Sequence, residues 1–132
     1  MQAYREEVGR ECLDARLDRE IAPNPGGSDA EDLAAYLEGS LAVARRSESR
    51  LERIVPPPAV AAQHRRGRRV GREAISLVAR AARDARAGEA PEKVLRRLEP
   101  ALNRRIVAGN EIADALGTPQ CFQEPLNLGF TR

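Results

Sequence analysis

The chain has 132 residues, enough for one domain with its own core, and its 22 basic residues against 20 acidic ones leave it almost neutral. Every basic residue except Lys93 is arginine, but the acids nearly cancel their field, which argues against a general phosphate-binding surface. The four aromatics, Tyr4, Tyr36, Phe122 and Phe130, are too scattered to stack single-stranded nucleic acid, and no apolar run is long enough to cross a bilayer.

The first predicted helix runs from about Gln2 to Ile21. Tyr4, Val8, Cys12 and Ala15 recur at steps of four and three, and Leu13, Leu17 and Ile21 are expected to widen that face. Ala22-Pro23-Asn24-Pro25-Gly26-Gly27 breaks it. Ser28 and Glu31 have capping-box spacing and predict the start of a second helix. That helix extends to about Val55, with Leu33, Leu37, Leu41, Ala44, Leu51 and Ile54 inward. Pro56-Pro57-Pro58 ends it, because proline cannot donate and restrains the residue before it.

The third predicted helix covers Ala59 to Ala87. Its seam of Val60, His64, Gly67, Gly71, Ala74, Val78, Ala81 and Ala85 is mostly small, which lets a neighbour approach closely. That neighbour is either the core or another subunit. Gly67 and Gly71 each cost roughly 1 kcal/mol against alanine in a helix interior, so a soft segment is expected there. Gly88 stops the helix and Pro91 opens the fourth, with Glu92 at the positive end of its dipole. The fourth continues to Leu116 through Pro100, which should kink it, and Gly117 reads as a left-handed cap with Pro119 beyond. The expected fold is all-α: an up-down-up-down antiparallel four-helix bundle over residues 1–119, followed by an irregular C-terminal tail, 120–132.

Cys12 and Cys121 are the only cysteines. In such a bundle the start of the first helix and the end of the fourth share one end, which favours a disulfide. Cys12 lies nine residues before Ile21, about 14 Å of helix, whereas a fourth helix of that length spans about 39 Å. If the two helices were flush at the far end, a gap of about 25 Å would remain, and five tail residues reach only about 17 Å. A bond therefore requires the first helix to sit low in the bundle. Two buried free thiols are the alternative. A persistent bond implies an oxidising compartment. The residues after Met1 are polar and charged, so export would need a leader upstream of Met1.

Several pieces fall into a layout: Tyr4-x-x-x-Val8-x-x-x-Cys12, Leu33-x-x-Tyr36-Leu37, Leu51-x-x-Ile54-x-Pro56-Pro57, His64, Leu98-Glu99-Pro100, Ala113-x-x-Leu116-Gly117 and Cys121. In this the chain resembles an uncharacterised family of exported or membrane-anchored helical-bundle proteins of actinobacteria. In that family one Cys precedes the body of the bundle, a Pro-Pro turn follows helix two and Leu-Gly-x-x-x-Cys closes the domain. The resemblance covers residues 4–122. It implies a compartment and a fold but no chemistry. Against that pattern, a leader is expected upstream of Met1 rather than within these residues, and the tail after Phe122 is longer than the pattern needs.

Chemistry has few footholds. His64 is the only histidine and Met1 the only methionine, so neither a bundle haem nor a Glu-x-x-His metal site is expected, and no cofactor or metal is assigned. No catalytic residue is assigned: Ser40, Ser47, Ser49 and Ser76 fall within helices, away from any strained elbow. Arg65, Arg68, Arg69 and Arg72 share a helix face that can hold an anion or an acidic partner. The competing reading is a solvated face paired with Glu48, Glu52 and Glu73. Arg96, Arg97, Arg104 and Arg105 repeat the theme on the fourth helix.

In the tail, Leu126, Leu128 and Phe130 alternate behind Pro125 and can dock as an extended peptide; self-packing or fraying is the default. The segment distantly resembles the C-terminal cargo peptides of encapsulin shells. The expected function is a non-enzymatic interaction or structural module, disulfide-stapled and extracytoplasmic, with a protein partner or a second copy as its target. The alternative is a cytoplasmic adaptor or cargo protein that binds through the tail or the Arg face.

Overall fold

A computed structural model shows an all-α chain, with residues 1–21 and 29–128 described. Four helices form the bundle: α1 (Gln2–Ile21), α2 (Ala30–Arg53), α3 (Ala61–Arg86) and α4 (Pro91–Leu116). Single 3-10 turns occupy Pro58–Val60 and Pro119–Cys121, and there is no strand among the described residues.

The helix boundaries follow the local chemistry, with one correction. The cap of α2 is Asp29, whose extended backbone lets its carboxylate accept the Asp32 amide at 2.8 Å. The expected partner in a capping box, Ser28, lies outside the described residues, as does the Ala22–Gly27 breaker. Ile54 turns the chain extended after α2, and the prolines hold it so. Gly88 ends α3 at φ +93° and Gly117 ends α4 at φ +71°. In both places the following amide reaches back across the turn, Glu89 to Asp84 and Thr118 to Ala113. Helix α4 runs unbroken through Pro100.

Helix α3 lies between α2 and α4 and packs against both along its length. Its connections to them, 54–60 and 87–90, are short, so the three run antiparallel. One cluster joins Ala34 and Leu37 of α2, Ala81, Ala82 and Ala85 of α3, and Val94 and Leu98 of α4. A second, at the opposite end, joins Tyr4 and Val8 of α1 to Leu51, Ile54, Ile112 and Leu116. Burial of each large aliphatic there contributes roughly 1.5–3 kcal/mol.

Among the described residues, α1 contributes to the second cluster and not to the first. It runs antiparallel to α2, with Glu11 opposite Arg50. Tyr4, Val8 and Ala15 are buried on its inner face. Leu13 and Leu17 do not widen that face as expected: they are 43% and 50% exposed. They are rotated off the line of Tyr4, Val8 and Cys12, toward solvent.

The small-residue seam of α3 faces the protein's own interior. Gly67 lies against Ile112 of α4, where a Cβ would sit 3.5 Å from Cγ2. Gly71 lies directly under the Glu48 carboxylate of α2.

Candidate functional site

The chain reverses at Gly117; residues 118–122 turn back against α1, and residues 123–128 run along α4. This reversal satisfies the geometry expected for the cysteines. Helix α1 sits low, and the tail rises to meet it. Cys12 and Cys121 are bonded, with Cα atoms 5.0 Å apart and 109 residues between them. Arginines of α1 complete the clasp. Arg5 Nε donates to the Leu116 carbonyl at 3.0 Å, one of the acceptors left open at the end of α4. Arg16 donates to the carbonyls of Gln120 and Phe122 at 3.1 and 2.7 Å. Gly9 leaves room for the Gln120 side chain, whose Oε1 would be 2.8 Å from a Cβ at residue 9.

Beyond the clasp the tail is held by a ladder on one face of α4. Asn110 donates to the Gln123 carbonyl at 2.7 Å and accepts the Gln123 amide at 2.9 Å. Asn103 does the same to Leu126, at 2.9 and 2.7 Å. The Glu99 carboxylate accepts the Leu128 amide at 2.6 Å. Each asparagine amide satisfies both polar groups of one residue, as a neighbouring strand would. Glu99, Asn103 and Asn110 fall at steps of four and seven, so they share one stripe of the helix. Leu126 is half-buried and Leu128 is 42% exposed. Phe130 lies outside the described residues. The tail is thus seated on its own helix.

The second polar feature is internal. Tyr4 Oη lies 2.7 Å from His64 Nδ1. Nearby, Arg68 reaches inward and binds Glu48 at 2.9 Å. Burial lowers the His64 pKa below its ordinary value, and the Arg68 charge adds to this. Burial raises the Glu48 pKa, against the opposing pull of Arg68. Burial likewise raises Tyr4. Glu48 Oε1 and Arg68 Nε are buried and have no hydrogen-bond partner among the described residues, so the pair carries a desolvation cost.

The four arginines of α3 are accordingly not equivalent. Arg68 belongs to the interior, Arg72 is paired with Glu52 at 3.0 Å, and Arg65 and Arg69 are exposed. Of the fourth-helix arginines, Arg97 is paired with Glu89 and Asp84, Arg105 with Glu73 and Arg96 with Glu92, whereas Arg104 is exposed. Glu48 was expected to be a surface partner. It occupies the buried step between Ala44 and Leu51.

Elsewhere, a shallow groove of 540 Å³ between α2 and α3 has a floor of Leu41, Ala79 and Ala82 and a rim that includes Arg45, Arg83 and Arg86. Arg86 is already bound to Glu38. Among the described residues no three His, Cys, Asp or Glu side chains converge as metal ligands, and no helix is long and apolar enough to cross a membrane.

Reading the sequence missed Asn103, Asn110 and Glu99. The available signal was polar residues recurring on one stripe of an otherwise apolar-periodic helix. No protein-family model, curated protein or solved structure matches the chain.

Proposed function

We propose that the chain is a non-enzymatic helical-bundle module for protein interaction or structural support, working in an extracytoplasmic, oxidising compartment. The observation that carries this reading is the Cys12–Cys121 bond, which joins α1 to the returning tail at the point where the fold is otherwise held by hydrogen bonds. Disulfides persist in oxidising compartments and are rare in reducing ones. The polar groups that carry chemistry elsewhere are here internal: His64 is 6% exposed and engaged by Tyr4. The test is protease treatment of intact host cells that express the chain from its native locus. Degradation without lysis is expected; protection until lysis would contradict the extracytoplasmic assignment.

A second reading, a cytoplasmic adaptor or cargo protein, is favoured by one observation: the C-terminal segment is a defined extended peptide rather than part of the core. Removing residues 123–132 and comparing the proteins that co-purify with the full and the shortened chain separates the two. Unchanged partners end the tail version of this second reading.

A further inference from the structure

We propose that the groove between α2 and α3 is a docking surface for an acidic amphipathic helix of a partner protein, whose carboxylates pair with Arg45 and Arg83. The proposal rests on the interaction reading above and not on the compartment.

Two ion pairs bridge α2 and α3 along this side of the bundle, Glu38 with Arg86 and Glu52 with Arg72. Fourteen residues separate the two acids on α2 and fourteen separate the two arginines on α3, so both pairs belong to one antiparallel register. In that register Arg45 falls opposite Ala79, and Arg83 opposite Leu41. The row joins acid to arginine at both ends, yet its middle holds two arginines and no acid.

Neither arginine is answered on its own helix. One turn away, Arg83 has Ala79 and Ala87, and Arg45 has Leu41 and Ser49. Glu48, three residues beyond Arg45, is buried and bound to Arg68. Among the described residues, Arg45 and Arg83 have no ion pair and no side-chain hydrogen bond. Both are exposed, and they line the groove from opposite walls.

The shape of the groove selects the occupant. Its floor of Leu41, Ala79 and Ala82 is apolar, and no described residue of α1 or of the tail lines it. It is shallow and covers one side of what lies in it, whereas small-molecule sites enclose most of their ligand. From Glu38 to Glu52 the α2 wall is about 21 Å long, four turns of helix. A helix lying there sets its apolar face on the floor, the mode in which amphipathic helices fill grooves. In the register above, Arg45 and Arg83 are offset by four residues along the groove, about 6 Å, which is the spacing of two acids at i and i+4. Covered by that helix, each guanidinium exchanges water for a carboxylate that it binds directly. A phosphate strand or an anionic membrane would instead lay further negative charge over Glu38 and Glu52.

The test is fluorescence anisotropy of the full oxidised chain with two labelled synthetic helices at about 150 mM salt, where distant surface charges are screened. Both are alanine-rich with a leucine stripe; one carries Glu at i and i+4 beside the stripe, the other Gln at the same places. The Glu helix is expected to bind at least about tenfold more tightly than the Gln helix. Arg45→Gln/Arg83→Gln should erase that difference with helix content unchanged, since both positions are exposed. Ala42→Glu leaves both arginines in place and adds an acid on the exposed wall, three residues from Arg45 and nearly opposite Arg83; it should weaken the Glu helix at least about tenfold. Arg65→Gln/Arg69→Gln removes the same charge from α3 beyond a Debye length from the groove and should change affinity less than about twofold.

No binding of the Glu helix up to about 1 mM overturns the proposal. Equal weakening in the two double variants also overturns it, because net charge alone would then be the cause. So does displacement of the Glu helix by inorganic phosphate or by phosphatidylglycerol vesicles at a lower concentration of charge, which would give the groove another ligand. Each of these outcomes removes this surface alone. The compartment stands or falls on protease treatment of cells, which none of them touches.

Discussion

Gly71 and Glu48 face each other across α3 and α2 so closely that a Cβ on residue 71 would overlap Glu48 Oε2. The missing side chain makes space for the buried carboxylate that pairs with Arg68.

The two glycines of α3 should therefore respond oppositely to alanine. Gly67→Ala places its methyl at ordinary contact distance from Ile112, so the gain in helix propensity stands and stability should rise by about 0.5–1 kcal/mol. Gly71→Ala has the same propensity gain but pushes on a buried ion pair, and the net loss should be about 1–3 kcal/mol. Urea unfolding of the two variants checks the sign. Equal shifts would mean that Glu48 moves aside at little cost.

His64 should make the fold acid-sensitive. Its folded pKa lies below the ordinary value of 6.5, first because it is buried and second because of the Arg68 charge. The unfolded chain therefore takes up the proton first. The stability this histidine contributes is complete above about pH 6.5 and is lost as pH falls through the lower folded value. Glu48 acts in the opposite direction. Its raised pKa favours the folded state as pH falls toward 4.5. Comparing wild type with His64→Gln between pH 5 and 8 separates the two. The variant's unfolding free energy should lose the downward slope below about pH 6.5.

The disulfide closes nearly the whole chain. Chain entropy gives a bond across 109 residues roughly 4–5 kcal/mol of stabilisation. Reduction, or Cys12→Ser with Cys121→Ser, should lower the unfolding free energy by that order while leaving α2, α3 and α4 helical. A change below about 1 kcal/mol would mean that the hydrogen bonds of Arg16 and the rungs already hold the tail in place.

The ladder should be visible in hydrogen exchange. The amides of Gln123, Leu126 and Leu128 are expected to be protected although they lie outside any helix. In Asn103→Ala the Leu126 amide should exchange roughly 3–10-fold faster, the equivalent of one lost bond, while the Gln123 amide keeps its protection from Asn110. Unprotected amides in wild type would contradict the seated tail.

The helices were legible in the sequence because their apolar periodicity and their stops, Pro56 to Pro58, Gly88 and Gly117, agree with one another. What stayed hidden follows from polar residues used inside the structure. Glu48 sits at the step between Ala44 and Leu51 that periodicity assigns to the interior, yet a carboxylate beside an arginine run reads as a surface partner. Gly71 supplied the missing clue, since a glycine opposite a carboxylate only makes sense once both helices are placed. Asn103 and Asn110 read as weak helix residues. Their role depends on a tail that turns back at Gly117, and nothing in the local pattern states where that tail goes. Leu13 and Leu17 were misassigned because α1 presents only one narrow face to a bundle that is already three helices thick.

The most direct measurement is the number of reactive thiols in the protein isolated from its native host, alkylated at the moment of lysis and then denatured without reductant. Zero modified cysteines per chain is the outcome expected of a sulfur-clasped bundle from an oxidising compartment. Two modified cysteines, at positions 12 and 121, would show that the clasp is open in the cell and would remove the basis for the extracytoplasmic assignment.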